Sequence, residues 1–279
     1  MATATLTIHD HSRDSAGFTY VYPVVSRRAG GVSIGINLNP NNACNWACIY
    51  CQVPNLVRGA APAIDLTQLE NELRSFLNQS IRGDWLEQHA HGLPVQDIAF
   101  SGNGEPTSAR EFPSAIAIVA GLKQQFDLKS NLKVRLITNG SLMQQQQVQQ
   151  AISAMAAING EVWFKVDRAT SAGMAQINQV NDNIEAVKRR LLQCAALCPT
   201  WVQTCWFALD GLPPSEAELS AYLQFLEQIK DHIAGVHFYG IARPSMQPDA
   251  VRLSALSMAE MEQYAEAIRK LGIVVNVSP

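Results

Sequence analysis

Three cysteines stand close together in the first quarter of the chain. Cys44, Cys48 and Cys51 form a C-x3-C-x2-C run, which brings three thiolates into one short loop. Iron-sulfur clusters of the [4Fe-4S] type ordinarily take four cysteine ligands, so three thiolates hold three irons and leave the fourth open. An open iron is available for a substrate or a second cofactor. The spacing therefore predicts a [4Fe-4S] cluster with a ligand-binding iron at this loop.

Zinc and buried structural thiols are the two other interpretations of this run. A structural zinc site takes four ligands, usually as two separated pairs, and only His9 and His11 are placed to complete one. Three cysteines at this spacing arise in well under roughly 1% of shuffled sequences with so few cysteines. The cluster is therefore the favoured interpretation.

Short β-type segments alternate with helical patterns along the rest of the chain. The predicted strands are rich in branched and aromatic residues and cover residues 32–38, 95–100, 133–137, 161–166, 201–209 and 235–241. Helix starts are marked by three capping-box spacings, Asp65 with Gln68, Ser215 with Glu218 and Ser257 with Glu260. Six strand-helix units in succession favour parallel strands with helices outside. A doubly wound sheet and a barrel both fit this pattern.

The length of 279 residues suits one large α/β domain. Residues 1–31 lie outside the alternating pattern, and within them residues 18–25 can add an edge strand, where Pro23 is tolerated. We expect an N-terminal extension over residues 1–31 that packs on a main domain over residues 32–279.

Unusual polar residues follow the predicted strands, where parallel α/β folds place their chemistry. Residues 102–105, Gly-Asn-Gly-Glu, follow the second strand. The glycines allow backbone groups to approach a ligand, and the Glu105 carboxylate can accept hydrogen bonds from an ammonium. Thr138 and Asn139 end the third strand and can reach ligand hydroxyls, although Asn-Gly is also a good turn.

Two further groups of residues point to a ligand. Lys165 and Asp167 are two apart at the end of the fourth strand, so they project to one face, either as an internal salt bridge or around a ligand. After the sixth strand, Gly240 permits close backbone approach, and Arg243 can bind a carboxylate or phosphate.

These features resemble the radical S-adenosylmethionine (SAM) superfamily. The resemblance rests on the cysteine run with an aromatic residue, Tyr50, before its last cysteine, and on residues 101–107, SGNGEPT. Residues 26–37, the cysteine loop to Gln52 and residues 242–245 are further similar to the wyosine-synthase-related branch of Fe-S oxidoreductases. The resemblance implies a partial (βα)6 TIM-like barrel over residues 32–279, with residues 273–277 as an extra terminal strand.

The resemblance also implies a reaction. In the superfamily the open iron is chelated by the amino and carboxylate groups of SAM, whose reductive cleavage yields methionine and a 5'-deoxyadenosyl radical that abstracts hydrogen from a substrate. The glycine-rich motif then binds the SAM amino group, although the common second glycine is Asn103 here. The residues assigned to SAM are Tyr50, Gly102, Asn103, Gly104, Glu105, Thr138, Asn139, Lys165, Asp167, Gly240 and Arg243.

Three more cysteines form a C-x3-C-x6-C run, Cys194, Cys198 and Cys205. The first two lie one turn apart on an amphipathic helix, and free cysteine is among the most buried residue types, so packing is favoured over an auxiliary cluster. Cys205 is also a candidate catalytic residue, since a thiol inside the barrel can give a hydrogen atom to a substrate radical.

Charge and hydropathy exclude several classes of protein. The net charge of -3 lacks the positive field of a general nucleic-acid binder, although Arg27, Arg28 and Arg58 can form a modest basic rim near the cluster loop. There is no apolar run long enough to span a membrane and no signal-peptide pattern, so we expect a cytoplasmic protein with reduced thiols.

The expected function is that of a radical SAM enzyme with one [4Fe-4S] cluster and a flavodoxin or ferredoxin as electron donor. A nucleobase in RNA is the first expectation for the substrate. Activation of a glycyl-radical partner protein and a small-molecule reaction are alternatives. An Fe-S binding or redox-sensing protein that does not cleave SAM is the alternative from another class.

Overall fold

The computed structural model describes residue 6, residues 17–26 and residues 29–278. His9, His11, Arg27, Arg28 and part of the expected extension over residues 1–31 lie outside the described residues. The extension's boundary and its packing therefore stay predictions.

Eight strands form one open sheet in the described part of the chain. They are β1 Val21–Ser26, β2 Gly31–Ile36, β3 Val95–Phe100, β4 Lys133–Thr138, β5 Gly160–Lys165, β6 Thr200–Cys205, β7 Gly235–Tyr239 and β8 Val275–Ser278. Their order in the sheet is their order in the chain, from β1 to β8. β1 runs antiparallel to β2, and the other neighbours are parallel.

Eight α-helices connect and cover these strands. They are α1 Leu66–Leu77, α2 Trp85–Ala90, α3 Phe112–Gln125, α4 Gln146–Ala156, α5 Ser171–Ile177, α6 Ile184–Ala195, α7 Glu216–Ile229 and α8 Met258–Arg269. Short helical turns cover Asn78–Arg82, Pro106–Ser108, Lys230–His232 and Pro248–Arg252. Among the described residues, no helix is long and apolar enough to cross a membrane.

Alternation along the strands separates a helix-facing side from a concave side. Even-numbered residues such as Val134, Val162 and Val202 belong to the core under the helices, where they are fully buried. Odd-numbered neighbours such as Arg135 and Gln203 line the concave side of the sheet. Because side chains alternate with a period of two, each strand supplies both the hydrophobic core and a polar interior. The chain is thus mixed α/β with a curled half-barrel sheet, as expected.

The structure differs from two local expectations. The predicted strand over residues 201–209 ends at Cys205, and Ala208–Leu209 instead pairs antiparallel with Leu253–Ser254. The capping box at Ser257 is complete, but the one at Asp65 is half formed. There the Gln68 side chain donates to Thr19 and Glu72 instead of returning to the backbone of Asp65.

The edge strand β1 lies so close to Gly35 that a larger residue at this position is expected to destabilise the protein. The Tyr22 ring lies over Gly35 on β2, and a Cβ atom at Gly35 would overlap it. We expect Gly35→Ala to lower the free energy of unfolding by about 1–3 kcal/mol, since overpacking displaces Tyr22 and the edge strand.

Chemical denaturation measures the free energy of unfolding of Gly35→Ala and of a control variant at a second glycine, Gly121. Gly121 lies in α3 with open space around its Cα, so Gly121→Ala is expected to stabilise the protein by about 0.5–1 kcal/mol. Equal stabilisation by the two substitutions would contradict the close contact at Gly35.

Candidate functional site

The concave side of the sheet encloses a cavity of about 320 Å³. Its walls come from the cysteine loop after β2 and from the carboxyl ends of β3 to β7. The predicted site residues that line it are Cys44, Cys48, Tyr50, Cys51, Gly102, Asn103, Gly104, Glu105, Thr138, Asn139, Lys165, Cys205, Gly240 and Arg243. Asp167 is the one predicted site residue that lies behind the wall.

The end of α5 holds the cysteine loop in place. The Ile49 N–H donates to the Ile177 carbonyl at 2.9 Å, and the Ala47 N–H donates to the Asn178 carbonyl at 3.2 Å. On the other side of the loop, the Arg58 guanidinium donates to the carbonyls of Asn45 and Gln179. These bonds satisfy the last carbonyls of a helix and fix the loop to the barrel at the same time.

Burial raises the pKa of the Cys44 thiol to about 11 and that of Cys48 to about 12. Both thiols are therefore protonated at neutral pH unless a metal binds, and metal binding releases their protons. Among the described residues, no three His, Cys, Asp or Glu side chains converge as they would around a single ion. A [4Fe-4S] cluster places each thiolate on a different iron, so it does not require three side chains to converge on one ion.

The two glycines of the glycine-rich turn are required by packing against the chain itself. A Cβ atom at Gly102 would meet the Asn37 amide at 2.5 Å, and one at Gly104 would overlap the Ala43 carbonyl beside the first cysteine. Gly102 also has φ +139°, which favours glycine. These glycines bring the turn against the cysteine loop, whereas the sequence suggested close approach to a ligand.

Asn103, which replaces the common second glycine, turns its side chain toward the cysteine loop. Its Nδ2 donates to Asn42 Oδ1 at 2.7 Å, and its backbone N–H donates to Asn37 Oδ1 at 3.1 Å. Within the described residues, Asn103 Oδ1 is buried and has no hydrogen-bond partner. The substitution therefore adds an unpaired acceptor to the cavity wall.

The Glu105 carboxylate already receives four hydrogen bonds from the protein. Its Oε1 accepts from the backbone and hydroxyl of Thr107, at 3.1 and 2.6 Å, and from the Thr138 hydroxyl at 2.7 Å. Its Oε2 accepts from the Asn139 N–H at 2.7 Å. Burial nevertheless raises the pKa of Glu105, an effect that these donors partly offset. Thr138 and Asn139 thus hold Glu105 in place. Because Oε2 accepts a single hydrogen bond, it has the capacity to accept one more.

A largely buried ion pair lies at the cavity wall, with Lys165 lining the cavity and Asp167 behind it. Lys165 Nζ is 3.4 Å from Asp167 Oδ2 and also contacts the hydroxyls of Tyr50 and Tyr239. Burial by itself lowers the pKa of Lys165, but Asp167 together with Tyr239, Cys48 and Cys205 outweighs it, and the pKa lies well above its ordinary value. Burial, with the charge of Asp167, also raises the pKa of Tyr50. Lys165 is therefore a fixed cation and Tyr50 a neutral donor.

The Asp167 side chain is fully buried behind this pair. It accepts from the Tyr50 hydroxyl at 2.6 Å and from the Cys205 N–H at 2.9 Å. Both alternatives from the sequence meet here, since the salt bridge is present and Lys165 lines the cavity. The geometry favours a supporting role for Asp167 over direct contact with a ligand.

The remaining predicted residues, Gly240, Arg243 and Cys205, also line the cavity. Gly240 N–H donates to the Ser278 carbonyl at 2.9 Å, and the Arg243 carbonyl accepts from Gln52 Nε2 at 3.2 Å. Cys205 is buried on the cavity side of β6, whereas Cys194 and Cys198 are buried in the core under the helices. The second run is therefore divided, since Cys205 faces the cavity together with the first run while Cys194 and Cys198 lie on the opposite side of the sheet.

The sequence interpretation missed two residues of this site. Asn178, just after α5, donates to Cys48 Sγ at 3.2 Å and to Asp167 Oδ2 at 2.7 Å. Gln203 of β6 lines the cavity next to Lys165 in the sheet register, and its buried Oε1 has no partner among the described residues. Only the inward position of Gln203 on an alternating strand was a signal in the sequence.

Comparisons with known sequences find distant relatives. No protein-family profile matches the chain. The chain is 25% identical over 227 residues to "UPF0026 protein" of Helicobacter pylori, a match covering 80% of this chain and 66% of that protein. It is 26% identical over 256 residues to a Brachyspira hyodysenteriae protein named "GTPase Obg", covering 88% of this chain and 33% of that one. The matches thus span less than two thirds of either relative.

Solved structures give a closer account of the fold. A radical SAM methyltransferase from Sphaerobacter thermophilus superposes with a TM-score of 0.64 at 12% identity, over 99% of this chain and 77% of that one. TYW1 with a lysine-pyruvate adduct gives 0.58 at 13% identity, over 94% and 78%. Streptococcus suis SuiB bound to S-adenosylmethionine gives 0.54 at 11% identity, over 90% and 49%. The chain therefore has the fold of these proteins, one of which is named a radical SAM methyltransferase, and this agrees with the resemblance indicated by its cysteine run.

Proposed function

We propose that the protein is a radical SAM enzyme. Cys44, Cys48 and Cys51 would hold three irons of a [4Fe-4S] cluster, which supplies the electron that cleaves SAM to methionine and a 5'-deoxyadenosyl radical able to abstract hydrogen from a substrate. The observation that carries the proposal is that the cysteine loop and all residues assigned to SAM except Asp167, although far apart in sequence, line one cavity. The proposal includes a partial (βα)6 barrel, and the six strands from β2 to β7 with their following helices are the units that we assign to it.

The polar groups of the cavity suit the charges of SAM. Asn103 Oδ1 is a buried acceptor without a partner among the described residues, and Glu105 Oε2 has received a single donor. Both lie beside the cysteine loop and can accept from the SAM ammonium. Lys165 is a buried cation on the cavity wall and can bind the SAM carboxylate or ribose. Arg243, farther along the same wall, suits an anionic part of SAM or of the substrate.

The protein's own residues also control the surroundings of the reaction. Trp46, Tyr50 and Phe207 pack in one apolar cluster with Cys48 and Cys205, so they exclude water from the inner side of the cysteine loop. A cavity with little water protects a radical from quenching by side reactions. Cys205 stays the candidate donor of a hydrogen atom, because its side chain lies on the same wall as Lys165.

A nucleobase in RNA is the substrate that we propose first, supported by the similarity to the wyosine-synthase-related branch. Arg58 beside the cysteine loop adds a positive charge near the site, although it already donates to two backbone carbonyls. A flavodoxin or ferredoxin would supply the electron. RNA that copurifies with the protein and is absent from a mock purification would support this substrate class, and a copurified glycyl-radical protein would replace it.

Anaerobic reconstitution with iron and sulfide, followed by dithionite and SAM, tests the reaction itself. We expect about four irons per chain, as in a [4Fe-4S] cluster, and formation of 5'-deoxyadenosine and methionine. Chromatography of the products measures both. A reducible cluster without SAM cleavage under any reductant would overturn the enzyme proposal in favour of Fe-S binding or redox sensing.

A further inference from the structure

In the described part of the structure, the Asn178 side chain donates a hydrogen bond to Cys48 Sγ from a different element of the fold. It is 1% exposed and follows α5, 130 residues away from Cys48 along the chain. Its Nδ2 has two protons and two acceptors, Cys48 Sγ at 3.2 Å and Asp167 Oδ2 at 2.7 Å. The amide thus joins a predicted iron ligand to the buried ion pair.

The surroundings determine which end of the amide faces the sulfur. Both neighbours of Nδ2 are acceptors when Cys48 is a thiolate, so the reversed orientation would place the amide oxygen against two negative groups. The observed orientation leaves Asn178 Oδ1 buried without a partner among the described residues. An unpaired buried acceptor costs free energy, so donation to the sulfur and the carboxylate outweighs that cost.

A donor at a ligand sulfur has a defined effect on an iron-sulfur cluster. Reduction adds one negative charge, part of which lies on the thiolate sulfurs, and a hydrogen bond to sulfur stabilises the more negative state. The Asp167 carboxylate acts in the opposite direction, because its negative charge disfavours reduction. Asn178 lies between the two and donates to both.

We propose that Asn178 is a positioning residue that raises the reduction potential of the cluster by donating a hydrogen bond to Cys48 Sγ. This inference rests on the proposed function, because it needs a cluster on Cys48. It adds a role for a residue outside the cysteine run and outside the strand ends.

Redox titration of the reconstituted protein, monitored by electron paramagnetic resonance without SAM, tests the proposal. Asn178→Leu removes the donor while keeping the branched shape and the number of heavy atoms of the side chain. We expect its midpoint potential to be lower than that of the wild type, with the reduced fraction at a fixed solution potential falling roughly fivefold. Asn178→Ser serves as a second variant, since its shorter side chain withdraws the donor at little risk to folding.

A double-variant cycle separates the sulfur contact from the carboxylate contact. In an Asp167→Asn background the carboxylate charge is absent. Any change in midpoint potential that Asn178→Leu still causes in this background therefore reports the hydrogen bond to Cys48. A persistent shift to lower potential supports the proposal. Equal potentials with and without Asn178, or a shift that disappears in the Asp167→Asn background, would overturn it.

Failure of this inference is distinct from failure of the proposed function. A wild-type protein that binds no iron would contradict the cluster itself. A wild-type protein with a reducible cluster whose potential is insensitive to Asn178 would contradict only the role of this amide. Iron content per chain, measured for each variant, shows whether the compared samples carry the same cluster.

Discussion

Replacing Cys44, Cys48 and Cys51 together with alanine is expected to abolish iron binding and SAM cleavage. The three thiols are the cysteine side chains of one loop on the cavity wall. Without them the irons lose the protein's thiolate ligands, and no electron can reach SAM. We expect the iron content and the yield of 5'-deoxyadenosine to fall at least about 100-fold, to the background of the assay. Iron analysis, visible absorption and product chromatography measure the loss.

The matched control removes thiols from the other cysteine run. Cys194 and Cys198 are buried in the core under the helices, on the opposite side of the sheet from the cavity. The Cys194→Ala/Cys198→Ala variant should keep the iron content and the SAM cleavage of the wild type, with some loss of stability from the removed volume. Loss of iron in this control as large as in the triple variant would contradict the assignment of the ligands.

Asp167→Ala is expected to lower the free energy of unfolding by about 3–5 kcal/mol, because it leaves a buried charge without its partner. The Asp167 carboxylate receives hydrogen bonds from Tyr50, Asn178 and the Cys205 backbone, and it faces the Lys165 ammonium. For a chain of this size the expected fall in Tm is about 10 °C. Thermal denaturation of the protein without cofactors measures it, so the result does not depend on the proposed reaction.

Two controls test whether the buried charge is the cause. Asp167→Ala/Lys165→Met removes both charges, and we expect it to recover part of the lost stability, as for other buried pairs replaced by apolar residues. Asp210→Ala breaks the exposed ion pair with Arg252, which is screened by water, so its Tm should stay near that of the wild type. If the loss of stability in the double variant equals the sum of the losses in Asp167→Ala and Lys165→Met, the unpaired Lys165 charge is not the cause.

Much of the fold follows from local patterns that can be seen in the sequence. The strand over Val95–Phe100 was predicted with its observed bounds, since a short run with branched and aromatic residues is bounded by Gly-Leu-Pro before it and Ser-Gly-Asn-Gly after it. The strand predicted over residues 201–209 was too long, because Trp206 and Phe207 continue the apolar run after the pairing with β7 ends. Hydrophobicity along the chain gives the burial of a segment, but backbone pairing decides where the strand stops.

The candidate site was predictable where chemistry is encoded in spacing. Cys44, Cys48 and Cys51 lie in one loop, so their proximity follows from the chain alone. Glu105 and Lys165 belong to different strands, but the carboxyl ends of parallel strands meet at one end of the sheet, and the structure brings them to one cavity. Local spacing and strand order together therefore predicted the cysteines and most of the assigned ligand-binding residues of the cavity wall.

What the sequence by itself determined is the donor set for a cluster, the alternation of strands and helices, and the end of the sheet where polar residues gather. These follow from spacing and periodicity, which act over a few residues. Only the tertiary structure decided that Asp167 lies behind Lys165, that Asn178 reaches Cys48 and that the glycines at 102 and 104 pack against the cysteine loop. Each of these contacts joins residues from different elements, and the distance between them is set by how the strands and helices pack, which local patterns do not encode.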